Sequence, residues 1–275
     1  MNSAPAVALV VAVYRRVDFL ELVLASLERQ SFRDFEIVIA DDGSGPEMAD
    51  AVRRWQGRFE RPILHAWHDD QGFRKTVIVN RAVTLSTGAH LVFIDGDCVL
   101  HHRFVERHFV RRRPRQALSG RRVMLDAELT TRLTAEDVRS GRIEQPSWWW
   151  NHAKPHDRRN GIYLPALYGW RGLFTGEYAI LGSNFSLSRE DFLSVNGYDE
   201  RILARGMEDV NLRRRLLNSG VATRSISHEA LQYHCAHGDR IFPHDAESVA
   251  RWGGTRETWT PSGIVRGERA VESVR

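Results

Sequence analysis

The sequence is poor in cysteine and contains no long apolar run. Its two cysteines, Cys98 and Cys235, exclude a disulfide framework and suit a reducing compartment. The longest apolar run covers residues 4–14, contains Pro5 and falls short of the roughly 20 residues that a membrane-spanning helix requires. The first residues also lack the basic flank of a secretory signal. These absences predict a globular cytoplasmic protein.

Lysine is almost absent as well, so arginine carries the positive charge. The chain has 37 arginines and two lysines, and its formal net charge is +4. Eight of the arginines lie between Arg103 and Arg122. Such a run can bind nucleic acid, an anionic membrane or a phosphorylated substrate. It can equally be a solvated helix end, which is common on protein surfaces.

The glycine-rich signatures of nucleotide binding are missing too. The turn after the first predicted strand reads Tyr14-Arg15-Arg16, which excludes a Gly-x-Gly-x-x-Gly motif there, and no Gly-x-x-x-x-Gly-Lys-Ser/Thr motif occurs. Any bound nucleoside diphosphate is therefore expected to depend on a metal ion and on basic side chains. Arg74 and Lys75 are candidates, since they precede a predicted helix whose N-terminus favours anions.

The pattern of apolar residues predicts an α/β fold. In the first hundred residues, short buried runs alternate with amphipathic stretches, which is the signature of βαβ units around a mostly parallel sheet. Strands are predicted at 7–13, 35–40, 63–67 and 90–94, and helices at 17–29, from about 46, and at 76–85. Later the sequence predicts a loop at 145–178, a strand at 180–187, capped helices after Thr134 and Ser188, a helix at 207–219 and a fraying tail from Gly253.

Four aspartates follow two of the predicted strands. Asp41 and Asp42 come at the end of the second strand, and Asp95 and Asp97 follow the fourth. Because ligands bind beyond the carboxyl ends of the strands in open α/β sheets, we expect these carboxylates to converge on one crevice. Crowded carboxylates need a cation or hydrogen-bond donors, which a Mg²⁺ or Mn²⁺ ion with a nucleotide would supply. Each motif alone is also consistent with an exposed turn.

Several segments resemble family 2 glycosyltransferases of the GT-A fold. Segments 10–16, 36–44, 72–82 and 93–97 carry this resemblance. Segments 182–187, 192–198 and 207–216 are similar to the C-terminal region of β-1,4-galactosyltransferases and bacterial polysaccharide transferases, and the resemblance covers about residues 6–240. It implies one GT-A domain at 1–250, with a nucleotide-sugar-binding half at 1–120 and an acceptor-binding and catalytic half at 121–250, followed by a tail at 251–275.

The resemblance also implies an activity. It predicts a metal-dependent inverting hexosyltransferase that moves a sugar from a UDP-sugar to a hydroxyl of a glycan or glycolipid, of the bacterial polysaccharide or lipooligosaccharide type. The implied cofactor is Mn²⁺ or Mg²⁺. Asp209, in the Glu208-Asp209 pair, matches the general base of the family.

Further positions take their roles from the resemblance. Asp42 would hold the uracil with Asp41 beside it, and Asp95 would contact the ribose or the metal. The remaining implied contacts are those of Asp97, His234 and His237 with the metal, and of Glu208 and Asn184 with the acceptor or sugar.

The residues alone leave alternatives open. Glu208 and Asp209 could simply complement the dipole of the predicted helix. His234 and His237 could be a zinc pair completed by a cysteine, or part of a polar strand, although a diphosphate would complete the shell of Mn²⁺. The run Trp148-Trp149-Trp150, with Trp149 as the candidate acceptor contact, could also face a membrane or form a hydrophobic cluster beneath a loop.

Two other functions compete with glycosyl transfer. A sugar-phosphate nucleotidyltransferase would be expected to carry a glycine-rich loop where this chain has Tyr14-Arg15-Arg16. A non-catalytic nucleic-acid-binding module would explain the arginines and leave the aspartates unexplained. We therefore predict no nucleic acid partner, and we predict peripheral contact of the arginines with an anionic membrane.

Overall fold

The computed structural model describes residues 4–166, 180–203, 205–238, 247 and 249–266. Within them the strands are β1 (Val7–Val13), β2 (Phe35–Asp41), β3 (Leu64–Trp67), β4 (His90–Asp95), β5 (Cys98–Leu100), β6 (Gln116–Ser119), β7 (Val123–Met124), β8 (Asn184–Ser188), β9 (Ala222–Ser225) and β10 (Gln232–His234). The α-helices are α1 (Val17–Leu27), α2 (Pro46–Trp55), α3 (Lys75–Leu85), α4 (Phe104–Arg111), α5 (Ala127–Arg132), α6 (Ala135–Arg139), α7 (Pro146–Trp149), α8 (Arg189–Ser194) and α9 (Met207–Asn218).

A seven-stranded sheet forms the centre of the fold, in the order β3-β2-β1-β4-β8-β6-β9. Strands β1 to β4 pair in parallel, β8 runs antiparallel to both β4 and β6, and β9 is parallel to β6. This confirms the predicted α/β fold with a mostly parallel sheet. The predicted strands and helices of the first hundred residues are all present, with α1 ending two residues earlier than expected.

Both faces of the sheet are covered, which explains the continuous apolar character of β1. Val7, Leu9 and Val11 point into a core formed with α1 and α2, whereas Ala8 and Val10 point into a second core formed with α3, α8 and α9. Successive side chains of a strand point to opposite faces of the sheet. A strand with apolar residues at every position therefore fits only a sheet that is buried on both faces.

A second sheet of three strands, in the order β5-β10-β7, was not anticipated from the sequence. β5 and β10 run antiparallel, with Cys98 opposite His234. Strands of two or three residues are too short to show a periodic pattern. Their pairing nevertheless brings the end of β4 and the C-terminal half of the chain together.

Two predictions about irregular segments are wrong. The predicted loop at 145–178 contains α7 and 3₁₀ turns at Trp150–His152 and Arg158–Gly161, while 167–179 lie outside the described residues. The tail is packed up to residue 266 rather than frayed, because the Asn196 side chain donates to the carbonyls of Thr260 (2.7 Å) and Val265 (2.8 Å). The capped helix starts at Thr134 and Ser188 are present as expected.

The arginine run divides between ion pairs and an exposed turn. Arg107 and Arg111 contact the buried carboxylate of Glu229, and Arg115 pairs with buried Asp191 at 3.0 Å. Residues 112–115 directly precede β6, which runs in the same direction as β4, so this turn lies at the sheet edge opposite the end of β4. Contact of these arginines with an anionic membrane stays a prediction. Within the described residues, no helix has the length and apolarity needed to cross a bilayer.

Candidate active site

The strand-end aspartates do converge at one edge of the sheet. In the parallel register of β1 with its two neighbours, Val13 lies beside Asp41 and Ala12 beside Asp95. The chain then turns through Gly96 to Asp97, just before β5. The carboxyl ends of β2 and β4 therefore flank the end of β1, which is where α/β sheets bind ligands.

Asp97, His234 and His237 form a compact cluster of potential metal ligands. Asp97 Oδ2 lies 2.9 Å from His237 Nε2 and 3.4 Å from His234 Nε2. One ligand atom from each residue lies within 4.8 Å of the others. The pairing of β5 with β10 causes this approach, because it sets Asp97 beside the end of β10. The structure thus brings together the three residues that the resemblance proposed as metal ligands.

The electrostatics of this cluster favour a bound cation. Burial opposes ionisation of Asp97, but the hydrogen bond with His237 and the charges of both imidazoles outweigh it and hold the pKa of Asp97 below its usual range. Burial lowers the pKa of His234, whose buried Nδ1 has no hydrogen-bond partner in the described part of the chain. One carboxylate and two imidazoles are a donor set that suits Mn²⁺ or Zn²⁺. These residues therefore fit a divalent metal.

The cysteines do not support the zinc alternative. Cys98 Sγ lies 3.2 Å from Asp97 Oδ1, and burial raises the pKa of the Cys98 thiol well above its usual value. Burial likewise raises the pKa of Cys235. Among the described residues, the cluster of close ligand atoms consists of Asp97, His234 and His237 and includes neither Cys98 nor Cys235.

Asp209 lies in a tight polar enclosure at the start of α9. Tyr198 Oη donates a hydrogen bond to Asp209 Oδ1 at 2.9 Å, and the backbone N–H of Gly182 donates to the same carboxylate. Burial raises the pKa of Asp209, and the charge of Lys75 acts against that rise. Burial also raises the pKa of Glu208, as does the neighbouring Asp209, and no described residue forms a hydrogen bond with Glu208 Oε2.

Tyr198 is a site residue that the sequence did not single out. Its backbone N–H donates to Asn80 Oδ1, and Asn80 Nδ2 donates to its carbonyl, both at 2.9 Å. Its ring packs between Phe93 and Phe192. Asn80 and Tyr198 both belong to segments that carry the family resemblance, but only the folded chain shows that they meet and orient Asp209.

Gly182 approaches Asp209 so closely that only glycine fits. A Cβ atom at this position would collide with both carboxylate oxygens of Asp209. We expect Gly182→Ala to lower the turnover rate about 10²-fold, the loss typical of a displacement of about 1 Å in a catalytic group. Gly253→Ala is the control, since a Cβ there meets only ordinary contacts at 3.4 Å or more. Equal turnover rates of the two variants and the wild type would contradict a positioning role for Gly182.

The two aspartates at the end of β2 have different environments. Both oxygens of Asp41 form hydrogen bonds within the protein, one with the Ser44 N–H at 2.9 Å and the other with the His65 ring at 3.0 Å. Asp42 Oδ2 accepts from the backbone N–H of Arg74 at 3.0 Å, whereas its buried Oδ1 has no hydrogen-bond partner among the residues that the structure describes. His68 Nε2, at 3.2 Å from Asp42 Oδ1, is also unsatisfied. Asp42 and His68 therefore present two unsatisfied polar atoms side by side.

Two predicted acceptor contacts are wrong. Asn184 is fully buried, and its Nδ2 donates to the carbonyls of Arg121 and Ala230 while its Oδ1 pairs with His108. Trp149 is also fully buried, packs on Tyr233 and sits over Gly161. Neither side chain can reach a substrate, because each is part of the core. The hydrophobic-cluster alternative is therefore correct for Trp149.

Two further clusters of possible metal ligands are already satisfied by protein groups. Glu144 accepts from Arg29 at 2.6 Å, from the His102 N–H at 2.8 Å and from His102 Nδ1 at 2.7 Å. Asp126 caps α5 and bonds His152, whose other ring nitrogen pairs with Arg132. In the described ranges, the cluster at Asp97 is the one that combines metal-ligand types with an unsatisfied buried atom.

Comparison with known sequences agrees with this geometry. Residues 8–133 match the family described as Glycosyl transferase family 2, and residues 174–237 match the one described as N-terminal domain of galactosyltransferase. Validoxylamine A glucosyltransferase of Streptomyces hygroscopicus subsp. jinggangensis is 24% identical over 238 residues, which cover 80% of this chain and 53% of that protein. The chain thus spans about half the length of the curated relatives it matches.

Solved structures show the same fold. The mannosyltransferase PcManGT from Pyrobaculum calidifontis, in complex with GDP-Man and Mn²⁺, superposes with a TM-score of 0.58 at 16% identity, covering 88% of this chain and 59% of that one. TarS of S. aureus gives a TM-score of 0.56 at 14% identity, covering 84% and 36%. These neighbours are GT-A glycosyltransferases, so the predicted GT-A fold is confirmed. The matched segments thus identify a family 2 glycosyltransferase region at residues 8–133, followed by a galactosyltransferase-like region at residues 174–237.

Proposed function

We propose that this chain is a metal-dependent inverting glycosyltransferase that moves a hexose from a UDP-sugar to a hydroxyl of a glycan or glycolipid. The observation that carries the proposal is the enclosed carboxylate of Asp209. It is oriented by a tyrosine hydroxyl and a backbone N–H. Asp95, which lies at the same edge of the sheet as Asp97, contributes to the electrostatic environment of Asp209.

The metal would be held by Asp97, His234 and His237. A bound Mn²⁺ or Mg²⁺ would supply positive charge for the departing diphosphate. The presence of Mn²⁺ and GDP-Man in the PcManGT complex supports a divalent metal and a nucleotide sugar for this chain as well. Asp95 ends β4 two residues before Asp97, a position suited to the ribose.

Asp209 is the proposed general base. Inverting transfer in a single displacement requires one group that takes the proton of the acceptor hydroxyl while that oxygen attacks the sugar. Tyr198 and Gly182 fix the carboxylate for this task. Glu208, with one unsatisfied oxygen and a raised pKa, is suited to hydrogen-bond a sugar or acceptor hydroxyl.

Asp42 and His68 are proposed to select the base. Asp42 Oδ1 can accept the imide N–H of uracil, and His68, whose Nδ1 donates to the Asp69 carbonyl, can donate from Nε2 to the adjacent uracil carbonyl when both ring nitrogens carry a proton. Cytosine has no imide N–H. This arrangement favours UDP over CDP, while Asp41 serves to shape the turn and Arg74 acts through its backbone N–H.

A donor panel tests the proposal. Purified protein is incubated with UDP-, GDP-, dTDP- and CDP-hexoses and a mixture of glycan and glycolipid acceptors, with Mn²⁺ or with EDTA, and nucleotide release is measured. We expect release from a UDP-hexose that requires both metal and acceptor. Release that is unaffected by EDTA would contradict the metal dependence, and release only from a CDP-sugar would contradict the proposed role of Asp42 and His68.

A further inference from the structure

We infer that Lys75 is a positioning residue that holds Asp209 in its ionised form, rather than a ligand of the donor diphosphate. This inference rests on the proposed function, since it assigns Lys75 a task in the activation of the acceptor. The sequence predicts donor binding for Lys75 from its place at a helix N-terminus. The contacts of its side chain point elsewhere.

Lys75 is turned toward carboxylates. It is the first residue of α3, its side chain is only 17% exposed, and its Nζ lies 2.6 Å from Asp95 Oδ1. Lys75 lines the same cavity as Gly182 and Tyr198, the two residues that contact the Asp209 carboxylate, so its charge also acts on Glu208 and Asp209 at the start of α9. Burial opposes the positive charge, but these carboxylates outweigh it and raise the pKa of Lys75 above its usual value. Asp95 thereby engages one of the N–H donors of the ammonium group.

The groups around Asp209 show why a cation is needed there. Asp95 at the end of β4 brings negative charge, Glu208 on the same helix brings a carboxyl whose pKa is raised to about 8 by burial and by Asp209, and Tyr198 brings a hydroxyl. Burial raises the pKa of Tyr198 well above its usual value, so Tyr198 keeps its proton and contributes a hydrogen bond without a charge. Neighbouring buried carboxylates hold a shared proton unless a positive charge compensates them. Lys75 supplies that charge.

A protonated Asp209 could not act as a base. Its ionisation is favoured by Lys75, by the Tyr198 hydrogen bond and by the Gly182 N–H, and it is opposed by burial and by Asp95. Removal of Lys75 would leave the carboxylates of Asp95, Glu208 and Asp209 together without their shared cation. Asp209 is then expected to take up its proton at a higher pH than in the wild type.

The test compares Lys75→Met with Lys75→Arg and with Lys154→Met, which removes the only other lysine of the sequence from an exposed position. The pH profile of kcat/KM is measured at saturating Mn²⁺. In Lys75→Met we expect the acidic limb to move upward by about 1 to 2 pH units, the effect of one opposite charge nearby. Lys75→Arg should leave the limb near its wild-type position, and Lys154→Met should leave the whole profile unchanged.

Other outcomes would overturn the inference. A Lys75→Met profile with an unmoved acidic limb and a donor KM raised tenfold or more would identify Lys75 as a diphosphate ligand. If the wild type transfers no sugar from any donor, the proposed function fails, whereas active wild type with an unmoved limb refutes the role of Lys75 alone. Should Lys75→Met not fold, ¹³C carboxyl NMR of wild type, assigned with Asp209→Asn, decides the matter: Asp209 must be ionised at pH 7, and a protonated Asp209 would refute the inference.

Discussion

Replacement of Asp209 with Asn is expected to lower kcat by about 10²- to 10⁴-fold, the range that one general base typically contributes. Asparagine has nearly the same shape and can still accept the hydrogen bond that Tyr198 donates to Asp209 Oδ1. The loss should therefore reflect missing proton transfer rather than altered packing. Steady-state kinetics with the preferred UDP-sugar, together with calorimetric binding of UDP in the presence of Mn²⁺, measures both effects.

The neighbouring Glu208 provides the matched variant. Glu208→Gln removes a carboxylate from the same turn of α9 and is expected to raise the acceptor KM while kcat falls much less. Because burial raises the pKa of Asp209, activity of the wild type should decline as the pH falls through this raised value, when the carboxylate takes up a proton. If Asp209→Asn transfers sugar as fast as the wild type, the assignment of the base is wrong.

Replacement of Asp97 with Asn is the second change with a large expected effect. It removes the only carboxylate from the cluster with His234 and His237. We expect the affinity for Mn²⁺ to fall by more than the roughly 10- to 100-fold typical of losing an outer-shell partner. Titration calorimetry with Mn²⁺ alone measures this without a sugar substrate. His156→Ala, which removes a histidine that is highly exposed, is the control.

The pH dependence of metal binding gives the same claim a second test. The hydrogen bond with Asp97 raises the pKa of His237, and a metal can bind the imidazole only after that proton has left. The affinity for Mn²⁺ should therefore decrease as the pH falls through the raised value. A Kd for Mn²⁺ that Asp97→Asn does not change would place the metal elsewhere.

The sequence could predict that these aspartates lie at one edge of the sheet, because a single rule connects their positions with the fold. Parallel strands place their carboxyl ends at the same edge, so the positions of Asp41, Asp42 and Asp95 follow once the strands are recognised. The His pair could be proposed only through the family resemblance. The pairing of β5 with β10, which brings His234 to Asp97, involves strands too short to leave a pattern.

The parts of the site that the sequence did not reveal depend on tertiary contacts. The Tyr198 hydroxyl reaches Asp209 because Asn80, which is 118 residues away in the chain, holds the Tyr198 backbone by hydrogen bonding. The errors have the same origin. Asn184 and Trp149 have side chains that suit sugars, but both are buried in the core, and burial cannot be deduced from the residue type.

Asp209 is proposed to activate an acceptor hydroxyl that displaces the nucleotide in one step. The most direct test is the configuration of the new glycosidic bond, read by ¹H NMR from the anomeric coupling constant of the product formed with an α-linked UDP-hexose. One displacement with a single base predicts a β-linked product. An α-linked product would contradict the account, because retention requires chemistry in which Asp209 is not simply a base.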